Sequence, residues 1–301
     1  MTGALILDKP EGMTSHDVVD RVRRILGTRR VGHIGTLDPF ATGVLVVCLE
    51  RATRLAQFLV HLDKEYEATV RLGFATDTQD RTGKQITPLA ASNAVSMEDV
   101  SRMLNEFIGP QLQTPPMFSA KKVAGERLYQ AARAGREVER KPVPVVVHAI
   151  ELRSGISDQS DGTRDFKVRV NCSSGTYVRT LAHDIGNRLG VGAHLGELRR
   201  NAVGHFNIAK ALTLEALETK SGRELADVIV APVEMLVYLP AVRLAPRDVE
   251  MIGHGRPVEV SMDDVGSLVR ICDQEGVLIA VGSYEAGSRL LRPRIVLTEG
   301  E

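Results

Sequence analysis

The sequence predicts a chain that interleaves strands and helices for about 235 residues and then ends in a small all-β unit. Three observations carry this. KEYEATVRL at 64–72 alternates apolar and polar residues, as a half-buried strand does. The stretches after Thr14 and after Ser96 repeat apolar residues every three or four positions, the helical period. Beyond residue 240 the apolar runs are short and divided by turn residues, with a single helical pattern near 246–254.

GALILDKPEG opens the chain as a strand that stops at Pro10-Glu11-Gly12. Thr14 or Ser15 can cap the helix that follows, whose stripe is Val18, Val22, Ile25 and Leu26 and which closes near Gly27. After a loop at 29–43, VLVVCL is a buried strand by its β-branched content, and a short helix fits 53–59. KEYEATVRL places Tyr66, Ala68, Val70 and Leu72 on one face. Residues 76–94 are loop-like, and Ser96 caps the amphipathic helix MEDVSRMLNEF. PQLQTPPMFSAKK at 110–122 holds too many prolines for a helix and reads as an extended basic excursion, with a short helix at 128–134. Strands return at 143–153 and in FKVRVNCS, where Phe166, Val168, Val170 and Cys172 share a face. SSGTYVRTLAHDIGNRLG opens with small residues and continues as a helix with Leu181, Ile185 and Leu189 at spacing four. MLVYLPAV at 235–242 marks a boundary, and LVRICD, VLIAVGSY and RIVL are the strands of a small barrel beyond it.

Composition narrows the function. An apolar fraction of 43% and a charged fraction of 25% suit a globular protein. The longest strictly apolar run, Val44–Leu49, is too short to span a membrane. MTGALILDKPEG lacks the parts of a signal peptide. Cys48, Cys172 and Cys272 are isolated and odd in number, which makes neither a zinc pattern nor a disulfide framework and suits the cytoplasm. GMTS and GHIG match neither phosphate-cradling glycine motif. The net charge of zero conceals an asymmetry: residues 114–145 carry seven Lys/Arg against three Asp/Glu, and residues 211–301 nine against fifteen. Residues 1–60 (eight against six) and 176–210 (five against two) are also basic, so three segments could form one positive face.

RRVGHIGTLDPFATG at 29–43 sets one carboxylate, Asp38, among arginines, glycines and a histidine. Read locally, Asp38 is either a turn carboxylate before proline or a reactive group. His33 is either an ordinary loop histidine, a ligand or an acid; Tyr66 and Leu198 are either core or pocket. Tyr177 and Arg179 lie two apart where a helix begins.

DKPEGMTS (8–15), RRVGHIGTLDPFATGVL (29–45), KEYEATVRLG (64–73) and CSSGTYVRTLAHDIG (172–186), in this order, resemble the TruB-type tRNA pseudouridine synthases. PPMFSAKKVAGERLYQAARAG (115–135) and GAHLGELRR (192–200) look like further blocks, so the resemblance runs from about residue 3 to 210. It implies an α/β fold: a central mixed, mostly antiparallel sheet with flanking helices, over 1–238, with the basic insertion at about 110–142. Residues 239–301 resemble, more weakly, the PUA-like RNA-binding barrel of many members. The activity implied is conversion of uridine to pseudouridine at position 55 in the tRNA T-loop, on a flipped-out base, without cofactor or metal. By the same resemblance Asp38 is the catalytic aspartate, paired with Arg179. Tyr66 stacks on the base, Tyr177 lines the pocket, Leu198 contacts uracil through its backbone, and His33 lies against the RNA. Lys9 and Asp80 fall in family-like blocks without an assigned task, and Ser174 stands where some members have lysine. The expected partner is the tRNA T-stem-loop, with no membrane and no obligatory protein partner, for a cytoplasmic monomer. Two rivals stand beside this reading: a catalytically inactive tRNA-binding chaperone, and a synthase acting on another RNA. Intact Asp38, Tyr66, Tyr177 and Arg179 disfavour the first. The short chain without basic tails disfavours a guide-RNA particle.

Overall fold

The computed structural model describes residues 1–119, 122–123, 126–128, 131, 135–136, 138–261 and 268–297. Lys121 and most of the helix expected at 128–134 lie outside the described residues.

A ten-stranded sheet organises the first 207 residues, with β1 (Gly3–Lys9), β3 (Thr42–Leu49), β11 (Ala193–Val203), β4 (Lys64–Leu72), β10 (Arg164–Cys172), β8 (Val143–Leu152) and β5 (Gly109–Gln113) side by side in that order. β2 (Val31–Ile34) adds to β3, β9 (Ser157–Asp158) to β10 and β12 (Phe206–Asn207) to β11. A two-stranded hairpin, β6 (Lys122–Val123) with β7 (Glu126–Arg127), stands apart. Every pairing in the large sheet is antiparallel except β3 with β11, which share the two pairs Arg199–Thr42 and Arg200–Gly43. There a side chain on Gly43 would collide with the Arg200 carbonyl at 2.2 Å, and φ is +105°, so glycine is required.

The helices follow from their caps. α1 (Ser15–Leu26) starts with a capping box between Thr14 and Asp17 and stops at Gly27 in the left-handed region. α3 (Met97–Glu106) repeats the device with Ser96 and Asp99. α2 (Ala56–Leu59) continues a 3-10 turn over Glu50–Leu55, and α4 (Val178–Arg188) follows the small-residue turn. α1 covers Leu5, Leu7, Leu45 and Val47 of β1 and β3; α3 and α4 cover Val70, Val168, Val170 and Leu195 of β4, β10 and β11. Three short helices, α5 (Leu214–Glu218), α6 (Gly222–Asp227) and α7 (Pro232–Met235), lead onward.

β2 lies inside the stretch 29–43 expected as a loop, and β11 is the longest element that the sequence pattern does not reveal. Its register shifts at Leu195/Glu197 and again at Arg200/Ala202, so the two-residue alternation is reset twice within eleven residues.

β13 (Ala241–Arg243), β15 (Leu268–Cys272), β16 (Leu278–Glu285), β17 (Leu290–Val296) and β14 (Val258–Glu259) form a second sheet, an open half-barrel with α8 (Pro246–Gly253) packed on β16 and β17. It shares a core with the large sheet's outer layer: Cys272, Leu278, Val281 and Leu297 cluster with Leu55, Leu59, Met235 and Leu236. Arg51 and Arg54 donate to the carbonyls of Leu297 and Val296 at 3.0 and 2.7 Å.

Candidate active site

The Asp38 loop leads into β3 just before its pairing with β11 at Thr42 and Gly43, and the first block of the chain holds it there. Lys9, fully buried, donates from Nζ to the carbonyls of Pro10, Met13 and Pro39 at 2.8, 2.7 and 3.2 Å. Desolvation drives its ammonium down to about 8. Ser15 accepts from the Leu37 N–H at 2.9 Å, and Gly12 N–H donates to Pro39 O at 2.8 Å. DKPEGMTS is thus a cradle for residues 37–39, with the Lys9 ammonium tying both segments together.

Asp38 does sit in a turn, with Ala41 N–H donating to its carbonyl at 3.1 Å and Pro39 next in line. Its carboxylate turns away from that backbone to meet Arg179. Arg179 Nε is 2.8 Å from Oδ2, and Nη2 donates to Oδ1 at 3.2 Å. The Nη2 contact is a hydrogen bond, while the Nε contact is a close charge approach without hydrogen-bond alignment; together they hold the carboxylate against the guanidinium. Burial raises the Asp38 carboxyl above its ordinary range, and the guanidinium pulls the other way.

Arg179 is itself pinned. Its side chain is 4% exposed, against 33% for Asp38. Nη1 donates to Thr78 O at 3.0 Å and to Asp80 Oδ2 at 3.5 Å, and Nη2 to Phe118 O at 2.8 Å. Asp80 is fixed in turn: its Oδ1 accepts from Thr78 Oγ1, Thr82 N–H and Thr82 Oγ1 at 2.8, 2.9 and 2.6 Å. One guanidinium therefore bridges two carboxylates, one open to the cavity and one sealed.

That cavity, of about 410 Å³, is lined by Asp38, Tyr66, Tyr177, Arg179 and Leu198, together with Lys64, Ser119 and Arg200. Tyr66 is buried and faces inward from β4, and desolvation raises its hydroxyl. Tyr177, the residue before α4, is held by Gln113, and its hydroxyl is likewise pushed up by burial. Five of the six residues expected from the sequence thus meet in one cavity. His33 stands outside its lining, half-buried on β2 beside Arg200 and His16, with burial lowering its imidazole.

Asp80, Gln113, Lys64 and Arg200 escaped the sequence reading as site residues. Lys64 had a signal: the alternation of KEYEATVRL puts a lysine on the face of Tyr66 and Ala68. Asp80 had a weaker one in the Asp/Thr-rich TDTQDRTG. Among the described residues no cluster of His, Cys, Asp and Glu could hold a metal ion. No helix among them is long and apolar enough to cross a membrane.

The arrangement can present a carboxylate of fixed orientation to an electrophilic carbon or an acidic proton while a planar ring lies against Tyr66. Comparison with known proteins gives the family. Residues 23–178 match the TruB family pseudouridylate synthase N-terminal domain. Residues 179–238 match the tRNA pseudouridylate synthase B C-terminal domain, and 240–297 the C-terminal region of pseudouridine synthase II TruB. The chain is 43% identical over 299 residues to tRNA pseudouridine synthase B of Azoarcus sp. (strain BH72), covering 99% of this chain and 95% of that one. It is 42% identical to the protein of that name from Solibacter usitatus (strain Ellin6076), with 99% and 100% covered. Among solved structures, a chain from an H/ACA RNP bound to a substrate RNA containing 2′-deoxyuridine superposes with a TM-score of 0.74 at 27% identity, covering 99% of this chain and 85% of that one. With a domain match over more than half its length and full-length relatives above 40% identity, the chain belongs to the TruB family of pseudouridylate synthases.

Proposed function

We propose that this chain converts uridine 55 in the T-loop of tRNA to pseudouridine, with Asp38 as the catalytic carboxylate. The observation that carries the reading is the ion pair of Arg179 with Asp38, one hydrogen bond and one close charge contact, in the lining of a cavity shared with Tyr66 and Leu198. A duplex or folded loop cannot offer its base to such a cavity in place, so the nucleotide is flipped out, at a few kcal/mol. Tyr66 supplies a face for the base, Tyr177 the neighbouring wall and the Leu198 backbone the edge that recognises uracil. His33, outside the cavity lining, supports the flipped RNA.

The reaction breaks the bond between ribose C1′ and uracil N1 and makes one between C1′ and C5. Asp38 either adds to C1′, forming an ester, or takes the C2′ proton, leaving a glycal. Both routes send the electron pair of the broken bond into the uracil ring. Once the ring has turned, C5 bonds to C1′, the carboxylate or proton is returned, and the C5 proton leaves. Arg179 keeps Asp38 ionised and aimed.

Residues 1–238 form the catalytic unit in this reading and 239–301 a PUA-like RNA-binding unit, with Arg289, Arg292 and Arg294 on or beside β17 as its phosphate contacts. The test is direct: incubate the protein with unmodified tRNA and map pseudouridine chemically. Formation at position 55 in the T-loop, lost in Asp38→Asn, supports the reading. Modification elsewhere, or in another RNA alone, overturns the T-loop assignment.

A further inference from the structure

We infer that Lys64 and Arg200 form an anion subsite on the cavity floor that takes the negative charge of the uracil ring after it leaves the ribose. The inference rests on the pseudouridylation reading above and deepens it.

The placement comes from the sheet. Arg200 of β11 lies directly across from Tyr66 of β4 in the strand register, and Lys64 precedes Tyr66 by two residues on the same face. Both line the cavity, and they are 6% and 1% exposed, Lys64 and Arg200 respectively. Lys64 Nζ donates to Val60 O at 2.8 Å. Arg200 donates from Nε to Val44 O at 2.7 Å and from Nη2 to Gly35 O at 2.9 Å. Among the described residues neither cation makes an ion pair with a carboxylate, and the cavity's own carboxylate, Asp38, is committed to Arg179. Two buried like charges without a paired carboxylate are unfavourable at rest. Desolvation and the Arg200 guanidinium accordingly pull the Lys64 ammonium down to about 8.

A site with this surplus of positive charge is matched to a ligand that becomes anionic during the reaction. When C1′–N1 breaks, the electron pair spreads over N1, O2 and O4 of uracil, and the two cations donate to a ring oxygen. A backbone phosphate is the other anion a tRNA could offer. Burial argues for the ring: the Asp38 side chain that the ribose must reach is a third exposed, while Lys64 and Arg200, on β4 and β11, are almost sealed from solvent.

The experiment compares single-turnover loss of the target nucleoside in tRNA containing uridine or 5-fluorouridine at that position, for wild type and Lys64→Met. Fluorine makes uracil a more stable anion, so a residue that stabilises that anion matters less. The expected result is a loss of about a hundredfold on uridine, clearly smaller on 5-fluorouridine, with unchanged tRNA affinity. An equal loss on both substrates, or no loss, overturns the inference. Weaker affinity with a salt slope reduced by about one makes Lys64 a phosphate contact, and overturns it too. Should Lys64→Met not fold, Lys64→Gln, which keeps a donor for Val60 O, carries the same comparison. Wild-type protein that forms no pseudouridine refutes the underlying reading instead, so the two failures are distinguishable.

Discussion

Gln113 grips the backbone of Tyr177 on both sides: its Oε1 accepts from the Tyr177 N–H at 2.7 Å and its Nε2 donates to the Tyr177 carbonyl at 3.0 Å. Gln113 ends β5, in the first residues of the basic excursion, and is 2% exposed. Five residues later Phe118 O accepts from Arg179. The excursion is therefore tied by both of its first anchors to the start of α4, where Tyr177 and Arg179 enter the cavity.

Replacing Gln113 by alanine leaves the half-buried Tyr177 N–H without that acceptor, which costs about 1 kcal/mol. We predict a lower Tm and a turnover reduced by about tenfold, since a misplacement near 1 Å can cost up to a hundredfold. Gln113→Glu keeps the acceptor and should recover part of both. A turnover unchanged in a destabilised Gln113→Ala protein would show that the clamp serves the fold alone.

The two carboxylates on Arg179 should separate by role. Asp38→Asn keeps shape and removes the charge, so turnover falls to background while tRNA binding survives. Asp80→Asn leaves Asp38 in place and loosens the guanidinium that aims it, so turnover falls by about a hundredfold without vanishing. Single-turnover rates and tRNA affinities for both variants check this. Loss to background in Asp80→Asn with a normal Asp38–Arg179 contact in its crystal structure would contradict a purely orienting role.

Most of the fold was legible because it is written locally. Thr14 with Asp17, Ser96 with Asp99 and the glycine at 27 specify helix ends within a few residues, and β4 displays its period openly. β11 was hidden by its two register shifts. The site was legible from the sequence mainly through resemblance. The Arg179 contacts to Asp38 and Asp80 span 141 and 99 residues, and nothing in a loop such as TDTQDRTG says which cation it will meet. Lys64 and Arg200 become notable only once both are known to be buried without a carboxylate.

Rate should depend on pH from both sides. Asp38 must be ionised to attack or to take a proton, and burial holds its carboxyl above the ordinary range, so activity rises with pH through that raised value. On the alkaline side Lys64, held near about 8 by desolvation with Arg200, Asp63 and Cys172 as its charged or titratable neighbours, loses its charge and activity falls. Lys64→Met should lack this alkaline limb. Its persistence in that variant would assign the limb to Lys9, which also titrates at about 8.

The half-barrel should matter to stability as well as to RNA binding. A chain ending at Pro240 loses Leu278, Val281 and Leu297 from the core they share with Leu55, Leu59 and Leu236. Burial of a leucine is worth about 1.5–3 kcal/mol, and each kcal/mol moves Tm by about 2–4 °C in a domain of this size. The shortened protein should therefore fold with Tm lower by at least roughly 5 °C, and modify tRNA with weaker binding. Calorimetry and a tRNA titration decide it. An unchanged Tm would mean that the shared core contributes nothing to the catalytic unit.

Tyr66 has two candidate tasks that one pair of substitutions can separate. Its ring lies on the cavity floor, buried between Lys64 and Ala68 on β4, and Arg200 stands opposite on β11. Stacking of a base on an aromatic ring is worth about 1–3 kcal/mol, and phenylalanine preserves it. A hydroxyl that moves the C5 proton matters by about a hundredfold or more. Burial raises the Tyr66 hydroxyl above its ordinary value, which makes it a poorer acid at rest; Arg200 opposes that shift. A phenol buried beside a guanidinium can lend or accept a proton when the uracil anion changes the local charge. We predict that Tyr66→Phe binds tRNA nearly as wild type does but forms pseudouridine about a hundredfold more slowly, while Tyr66→Leu loses affinity as well. Single-turnover rates and affinities for the two variants are the measurement. If Tyr66→Phe reacts at the wild-type rate, the hydroxyl moves no proton and the ring serves only as a platform for the base.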